Sequence, residues 1–232
     1  MDIRDPEVLA VIERYARRRE GDRYSLRRPG VIQMLEERRR AMVRLFADLE
    51  WNELAMRHAL EVGCGSGGIL LELIGMGFAP ENLIGLELRP ETLAHACRRL
   101  PARVQLMAGD ASEANIEPLS QDVVLQFTVF SSLLDDCFQH RLAETMWGWV
   151  RLGGGVLWYD FTVNNPFNAD VRGVPVGRIR SLFPTARITV RRITLAPPLA
   201  RAVCRAHPML YPLFNALPLL RTHVLAWIEK SN

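Results

Sequence analysis

The segment His58-Ala-Leu-Glu-Val-Gly-Cys-Gly-Ser-Gly-Gly-Ile-Leu70 constrains this chain more than any other, because it sets four glycines within six residues between two apolar runs. An apolar run, a glycine-rich bend and a second apolar run predict a strand, a tight turn and a helix N-terminus in succession. Glycines at 63, 65 and 67 allow positive φ and close approach of the backbone to a ligand. The unpaired N–H groups that open the next helix point the same way. Two templates fit. Gly63, Gly65 and Gly68 satisfy G-x-G-x-x-G, the pattern of dinucleotide sites, and Gly63, Gly65 and Gly67 satisfy G-x-G-x-G. Glu61, at the carboxyl end of the strand, separates them: its charge would repel a pyrophosphate and attract an ammonium or sulfonium group.

From residue 58 onward, strand and helix patterns alternate, which implies an α/β fold with a doubly wound, mostly parallel sheet covered by helices on both faces. Expected strands are the run from 58 up to the glycine turn, 82–88, 103–107, 122–130 and 156–161, with two further strands near 188–195 and 222–230. Ile188 and Val190, then Ile193 and Leu195, alternate with a change of phase at Arg191-Arg192, which predicts a bulge there. Residues 1–57 read as two helices, 6–20 and one after Gly30, forming an N-terminal lid with Tyr15, Arg23 and Tyr24 as candidates to close over a ligand. Residues 58–232 read as the main domain, with a polar, turn-rich substrate loop near 162–175 and an apolar, proline-punctuated insertion near 196–220. The insertion suits a lid, a dimer contact, a membrane-facing patch or packed core.

In such a sheet the ligand crevice lies at the carboxyl ends of the strands, between the first and fourth. Glu87 ends the second strand 20 residues after Gly67, placed to accept both hydroxyls of a ribose, and Leu88 would offer an apolar face to a base. Gln126, Phe127 and Thr128 should stand at the crevice from the fourth strand, and Asp160 from the fifth. Gln126 is expected against the ligand. Thr128, Asn164, Asn165 and Arg172, with Tyr24, are candidate substrate contacts. Asp160 and His140 are the candidate general bases, neither held in a motif that determines its role.

Glu61-Val-Gly-Cys-Gly-Ser-Gly67 resembles the first motif of the class I S-adenosylmethionine-dependent methyltransferases. The resemblance spans about 58–161 and implies a Rossmann-like sheet closed by antiparallel pairing of the last strands. It carries over Glu61, Gly63, Gly65, Gly67, Glu87, Leu88, Asp110 and Ala111 as positions for S-adenosylmethionine, whose product is S-adenosylhomocysteine, with Cys64 included as part of the turn. Asp110 would take the adenine amine and the Ala111 N–H a ring nitrogen. Leu125-Gln-Phe-Thr-Val-Phe130 and Trp158-Tyr-Asp-Phe161 look like bacterial UbiE/type-11 small-molecule methyltransferases. The implied reaction is O-methylation of a small-molecule or lipid-linked acceptor, with N- or C-methylation as variants. An NAD(P)-dependent oxidoreductase and a non-catalytic S-adenosylmethionine-binding subunit are the alternatives.

The net charge of +3 conceals an uneven distribution. Residues 58–160 hold six basic and thirteen acidic groups, whereas 161–232 hold ten and two. That basic end suits an anionic acceptor or peripheral contact with anionic lipid. Its arginines are not interleaved with aromatics, so nucleic acid is not expected. Four separated cysteines and five scattered histidines suggest neither disulfides nor a metal. With no signal-peptide or membrane-length apolar stretch, the expected location is the cytoplasm. No feature sets the oligomeric state.

Overall fold

A computed structural model describes residues 5–17 and 27–231. Fifteen elements are used below: α1 (Pro6–Arg17), α2 (Pro29–Asp48), β1 (Ala59–Val62), α3 (Gly68–Met76), β2 (Leu83–Glu87), α4 (Pro90–Arg99), β3 (Gln105–Ala108), β4 (Gln121–Phe127), α5 (Asp136–Trp149), β5 (Val150–Phe161), α6 (Val176–Leu182), β6 (Arg187–Leu195), α7 (Pro197–Ala206), α8 (Leu210–Asn215) and β7 (Arg221–Glu229). The strands form one sheet in the order β3-β2-β1-β4-β5-β7-β6. Strands β1 to β5 pair in parallel, and β7 lies antiparallel between β5 and β6.

Burial explains which strands sit where. Ala59–Val62 and Gln121–Leu125 are buried on both faces in the centre of the sheet, where Ala59, Leu60, Val62 and the Val123–Leu125 run supply the apolar contacts and Glu61, Gln121 and Asp122 are buried polar groups. On one face Leu60, Val62, Val124, Trp158 and Val224 pack against α1, α5 and α6. The other carries Ala59, Leu125, Leu157, Tyr159 and Leu225 against α2, α3 and α4. Proline at the first turn of α2, α4 and α7 starts those helices without losing a hydrogen bond. Among the described residues, no helix is long and apolar enough to cross a membrane.

Several sequence expectations change. The fourth strand stops at Phe127, because Thr128 takes φ of 59° and Phe130–Ser132 curl into a 3-10 turn. β3 runs to Ala108 instead of ending at Met107. Gly153-Gly-Gly155 lies inside β5, where a side chain on Gly155 would meet the Trp227 ring at 2.6 Å. No bulge occurs at Arg191-Arg192: the β6–β7 register is continuous from Arg187 to Ile193, and the backbone irregularity is Thr194, with φ of 65°. The first helix is described only to Arg17, and Arg23 and Tyr24 lie outside the described residues. The two N-terminal helices do not form one lid. α1 packs on one face of the sheet, while α2 packs on the other and against α7 and α8 through Val31, Met34, Leu195, Val203 and Tyr211. In the 196–220 insertion α7 and α8 anchor on the core through Ala200, Val203, Cys204 and Tyr211, while Met209, Leu213, Leu217 and Leu219 face solvent.

Candidate functional site

The glycine turn joins β1 to α3 with φ of 67°, 55° and 78° at Gly63, Gly65 and Gly67. These are left-handed values that side chains disfavour. Their surroundings differ. A Cβ at Gly63 would lie 2.7 Å from Val129, and one at Gly67 2.6 Å from Leu100, whereas one at Gly65 would meet nothing within 4 Å. Gly65 thus faces open space at the strand end, and its N–H donates to Glu87 Oε2 at 2.9 Å. The Cys64 N–H is bound to Leu86 O at 2.9 Å. The Cys64 thiol points inward beside Gly85 and Leu70, and burial pushes it well above the usual thiol range. Its side chain packs inward, away from the open side of the turn at Gly65.

Glu61 is only 2 % exposed, and among the described residues its buried Oε2 has no hydrogen-bond partner. Burial, reinforced by Glu72 and Glu87 and opposed by Arg38, raises its carboxyl from 4.5 to about 8. At neutral pH it is mostly protonated. Arg38 of α2 bonds Glu72 Oε1 at 2.6 Å and stands 5.3 Å from the Phe127 ring centre and 5.7 Å from that of Tyr159. Tyr159 in turn stacks on His223 at 5.1 Å. Burial and the nearby Arg38 lower that imidazole from 6.5 to about 4, leaving it neutral. Carboxyl, guanidinium and aromatic rings thus share one face of the sheet near the carboxyl ends of β1, β4 and β5.

At the end of β2, Glu87 takes the Gly65 N–H on one oxygen and the Arg89 N–H, at 3.0 Å, on the other. Each carboxylate oxygen keeps a further lone pair for another donor. Leu88 and Ala111 are half-buried beside Met107, with Ile12 and Tyr15 of α1 in the same apolar cluster. Asp110 spends Oδ1 on the Ser112 N–H at 2.8 Å. α1 is strapped across the neighbouring loop: Glu7 accepts from the Leu134 N–H, Arg14 donates to Ser132 O, and Tyr15 reaches the Ser132 hydroxyl at 3.2 Å.

Other expected contacts are engaged elsewhere. Gln126 is fully buried, and its Oε1 accepts from the Val129 N–H at 3.1 Å, bracing the turn after β4; only its unpartnered Nε2 is available to anything else. Asp160 is also fully buried. Its two oxygens hold the Ser131 and Phe161 N–H groups at 3.0 and 2.9 Å, and burial raises it from 3.8 to about 7. It clamps the loop after β4. His140 lies exposed on α5 and contacts Arg178 Nη1 at 3.1 Å, on the helix that covers the other face. The Thr128 hydroxyl bonds Phe127 O at 2.7 Å. In the 162–175 loop, Asn164 accepts from the Gly173 N–H, Asn165 from the Phe167 N–H, and Arg172 pairs with Asp136. These three staple the loop to itself and to α5.

Arg38, Glu72, Tyr159 and His223 were not singled out from the sequence. For Arg38 a signal existed: Met34, Arg38 and Met42 recur at four-residue spacing along the buried stripe of α2, although Arg38-Arg-Arg40 looks like a solvated run.

Residues 59–154 match the family model described as a methyltransferase domain. No curated protein matches the chain. Among solved structures, an S-adenosylmethionine-dependent methyltransferase from Mesorhizobium loti is similar at 14 % identity and a TM-score of 0.57, over 79 % of this chain and 97 % of that one. One from Archaeoglobus fulgidus is similar at 13 % identity and a TM-score of 0.57, over 85 % and 98 %. Phosphoethanolamine N-methyltransferase 2 of Haemonchus contortus, in complex with S-adenosyl-L-methionine, has 17 % identity and a TM-score of 0.54, over 75 % of this chain and 49 % of that one. At these identities the structural likeness is one of fold.

Proposed function

We propose that the chain is a class I S-adenosylmethionine-dependent methyltransferase that transfers a methyl group from S-adenosylmethionine to an oxygen of a small-molecule or lipid-linked acceptor, a reading supported by the methyltransferase-domain match over residues 59–154. The observation that carries the cofactor reading is Glu61, a buried carboxyl whose Oε2 has no partner among the described residues, beside the open Gly65 bend. Such a group is costly until a cation arrives, which suits the ammonium and sulfonium charges of this donor and not a pyrophosphate. A dehydrogenase sheet of the 3-2-1-4-5-6 order is all parallel; here β7 interrupts it in the antiparallel sense.

Glu61, Gly63, Gly65, Gly67 and Glu87 would hold the methionyl and ribose parts, with Leu88, Asp110 and Ala111 around the adenine. When bound, the cofactor supplies an activated methyl group for in-line displacement. The chain contributes alignment and exclusion of water. Phe127 and Tyr159 wall the carboxyl end of the sheet, and Arg38 beside them adds positive charge for an anionic acceptor.

Calorimetric titration with S-adenosylmethionine, S-adenosylhomocysteine and NAD tests the cofactor, with the first two expected to bind and NAD not. Incubation with methyl-labelled donor and a cell extract tests the acceptor. Label in an ether or ester of a small or lipid-extractable compound is the expected result. Label confined to protein or RNA overturns the acceptor class, and tight binding without any transfer favours a non-catalytic subunit.

A further inference from the structure

Away from the glycine turn, α2, β6, α8 and the start of β7 enclose a groove of about 460 Å³. Five arginines line it, Arg40, Arg44, Arg191, Arg192 and Arg221, against one carboxylate, Glu37. That carboxylate is occupied within the wall: Glu37 accepts from the Thr194 N–H at 3.0 Å, the Tyr211 hydroxyl at 2.6 Å and the Asn215 amide at 2.6 Å. Arg191 pairs with Asp48, and Arg221 is braced on Asn215 O and Arg192 O. Arg44 and Arg192 are exposed and have no ion-pair partner among the described residues. Arg201 and Arg205 of α7 line a separate recess of about 140 Å³ with Arg28. Between Asp170 and Glu229 the sequence contains no acidic residue at all.

The segment that forms one wall of the groove also carries apolar side chains outward. Met209 is 72 % exposed, Leu213 66 %, Leu217 56 % and Leu219 96 %, while Tyr211 and Leu195 beneath them anchor the segment in the core. An arginine-lined groove whose wall segment also exposes leucines to solvent makes two demands, anionic groups and an apolar layer. A polynucleotide meets only the first. We propose that this face docks on an anionic phospholipid bilayer, with lipid phosphates in the five-arginine groove and Leu213, Leu217 and Leu219 in the acyl boundary.

Co-sedimentation of the full chain with vesicles tests this. Vesicles of phosphatidylcholine mixed with phosphatidylglycerol should carry the protein down, and phosphatidylcholine alone should not. Both the Arg44→Glu/Arg192→Glu pair and the Leu213→Ser/Leu219→Ser pair should weaken binding at least about tenfold, without altering Tm or cofactor affinity. All four positions are exposed, so folding is not at stake. Equal binding to neutral vesicles, no binding, or binding indifferent to both pairs overturns the proposal. Displacement by millimolar inorganic phosphate, with the leucine pair neutral, would assign the groove to free phosphorylated molecules instead. Preference for a single-stranded oligonucleotide over vesicles would overturn it in favour of nucleic acid.

Discussion

At neutral pH the Glu61 carboxyl is a cost that the empty fold bears, and the sign of that cost can be measured. Its folded value of about 8 lies above the ordinary 4.5, as that of Asp160, about 7, lies above 3.8. Both groups hold protons in the folded chain that the unfolded chain has released, so their contribution is complete below about pH 4 and is lost as pH rises toward 8. Glu61→Gln should flatten that decline in denaturant titrations between pH 5 and 8 and leave the cofactor-free protein as stable as the parent or more so. The same substitution should weaken S-adenosylmethionine at least about tenfold, since the amide offers no charge to the sulfonium. In the parent, affinity for S-adenosylmethionine should rise with pH from about 6 to 8 with release of a proton, seen as a buffer-dependent heat. A pH-independent affinity would sever Glu61 from the donor. Glu61 was readable as a site residue from its place before Gly63. That its Oε2 lacks a partner among the described residues was not, because the carboxyl's surroundings come from Arg38, Glu72 and Glu87, each on a different element.

Among the elements, the turn between β1 and α3 separates packing from binding at adjacent glycines. Gly67→Ala drives a methyl group into Leu100 at 2.6 Å and should destabilise the fold by about 2–3 kcal/mol. Gly65→Ala meets open space and should cost only the left-handed strain, about 1–2 kcal/mol, while reducing cofactor affinity at least about tenfold. Thermal unfolding and calorimetry on the two variants check this, and equal losses of affinity per unit of stability would show that the turn is merely structural. Local spacing made the turn legible, as it did the parallel strands and the helices behind them. The end of β4 was not legible in this way. Phe127-Thr-Val-Phe130 looks like continuing strand, but Gln126 takes the Val129 N–H, and Thr128 enters the left-handed region with its own N–H held by Tyr159 O. The second bond joins Thr128 to the next strand, so no short window of sequence contains it.

In the whole molecule, α2 ties the two ends of the chain together through Glu37, which holds Thr194 of β6 and Tyr211 and Asn215 of α8. Through Thr194 the same network reaches Tyr159, whose hydroxyl lies 2.9 Å from Thr194 Oγ1, and so the ring that Arg38 covers. Glu37→Ala leaves three polar groups without their acceptor and should cost about 3 kcal/mol, lowering Tm by roughly 6–12 °C. Hydrogen exchange should quicken first in α8 and in the last residues of β6. By itself the sequence determined the alternating α/β order, the glycine bend and the carboxylates at 61 and 87, because backbone freedom, hydrophobic period and spacing act over a few neighbours. Tertiary structure alone decided that Asp160 and His140 are turned to other tasks, that Arg38 enters the sheet face, and that arginines from α2, β6 and β7 share one groove. Those outcomes depend on burial and on partners brought together from separate elements, which no local pattern encodes.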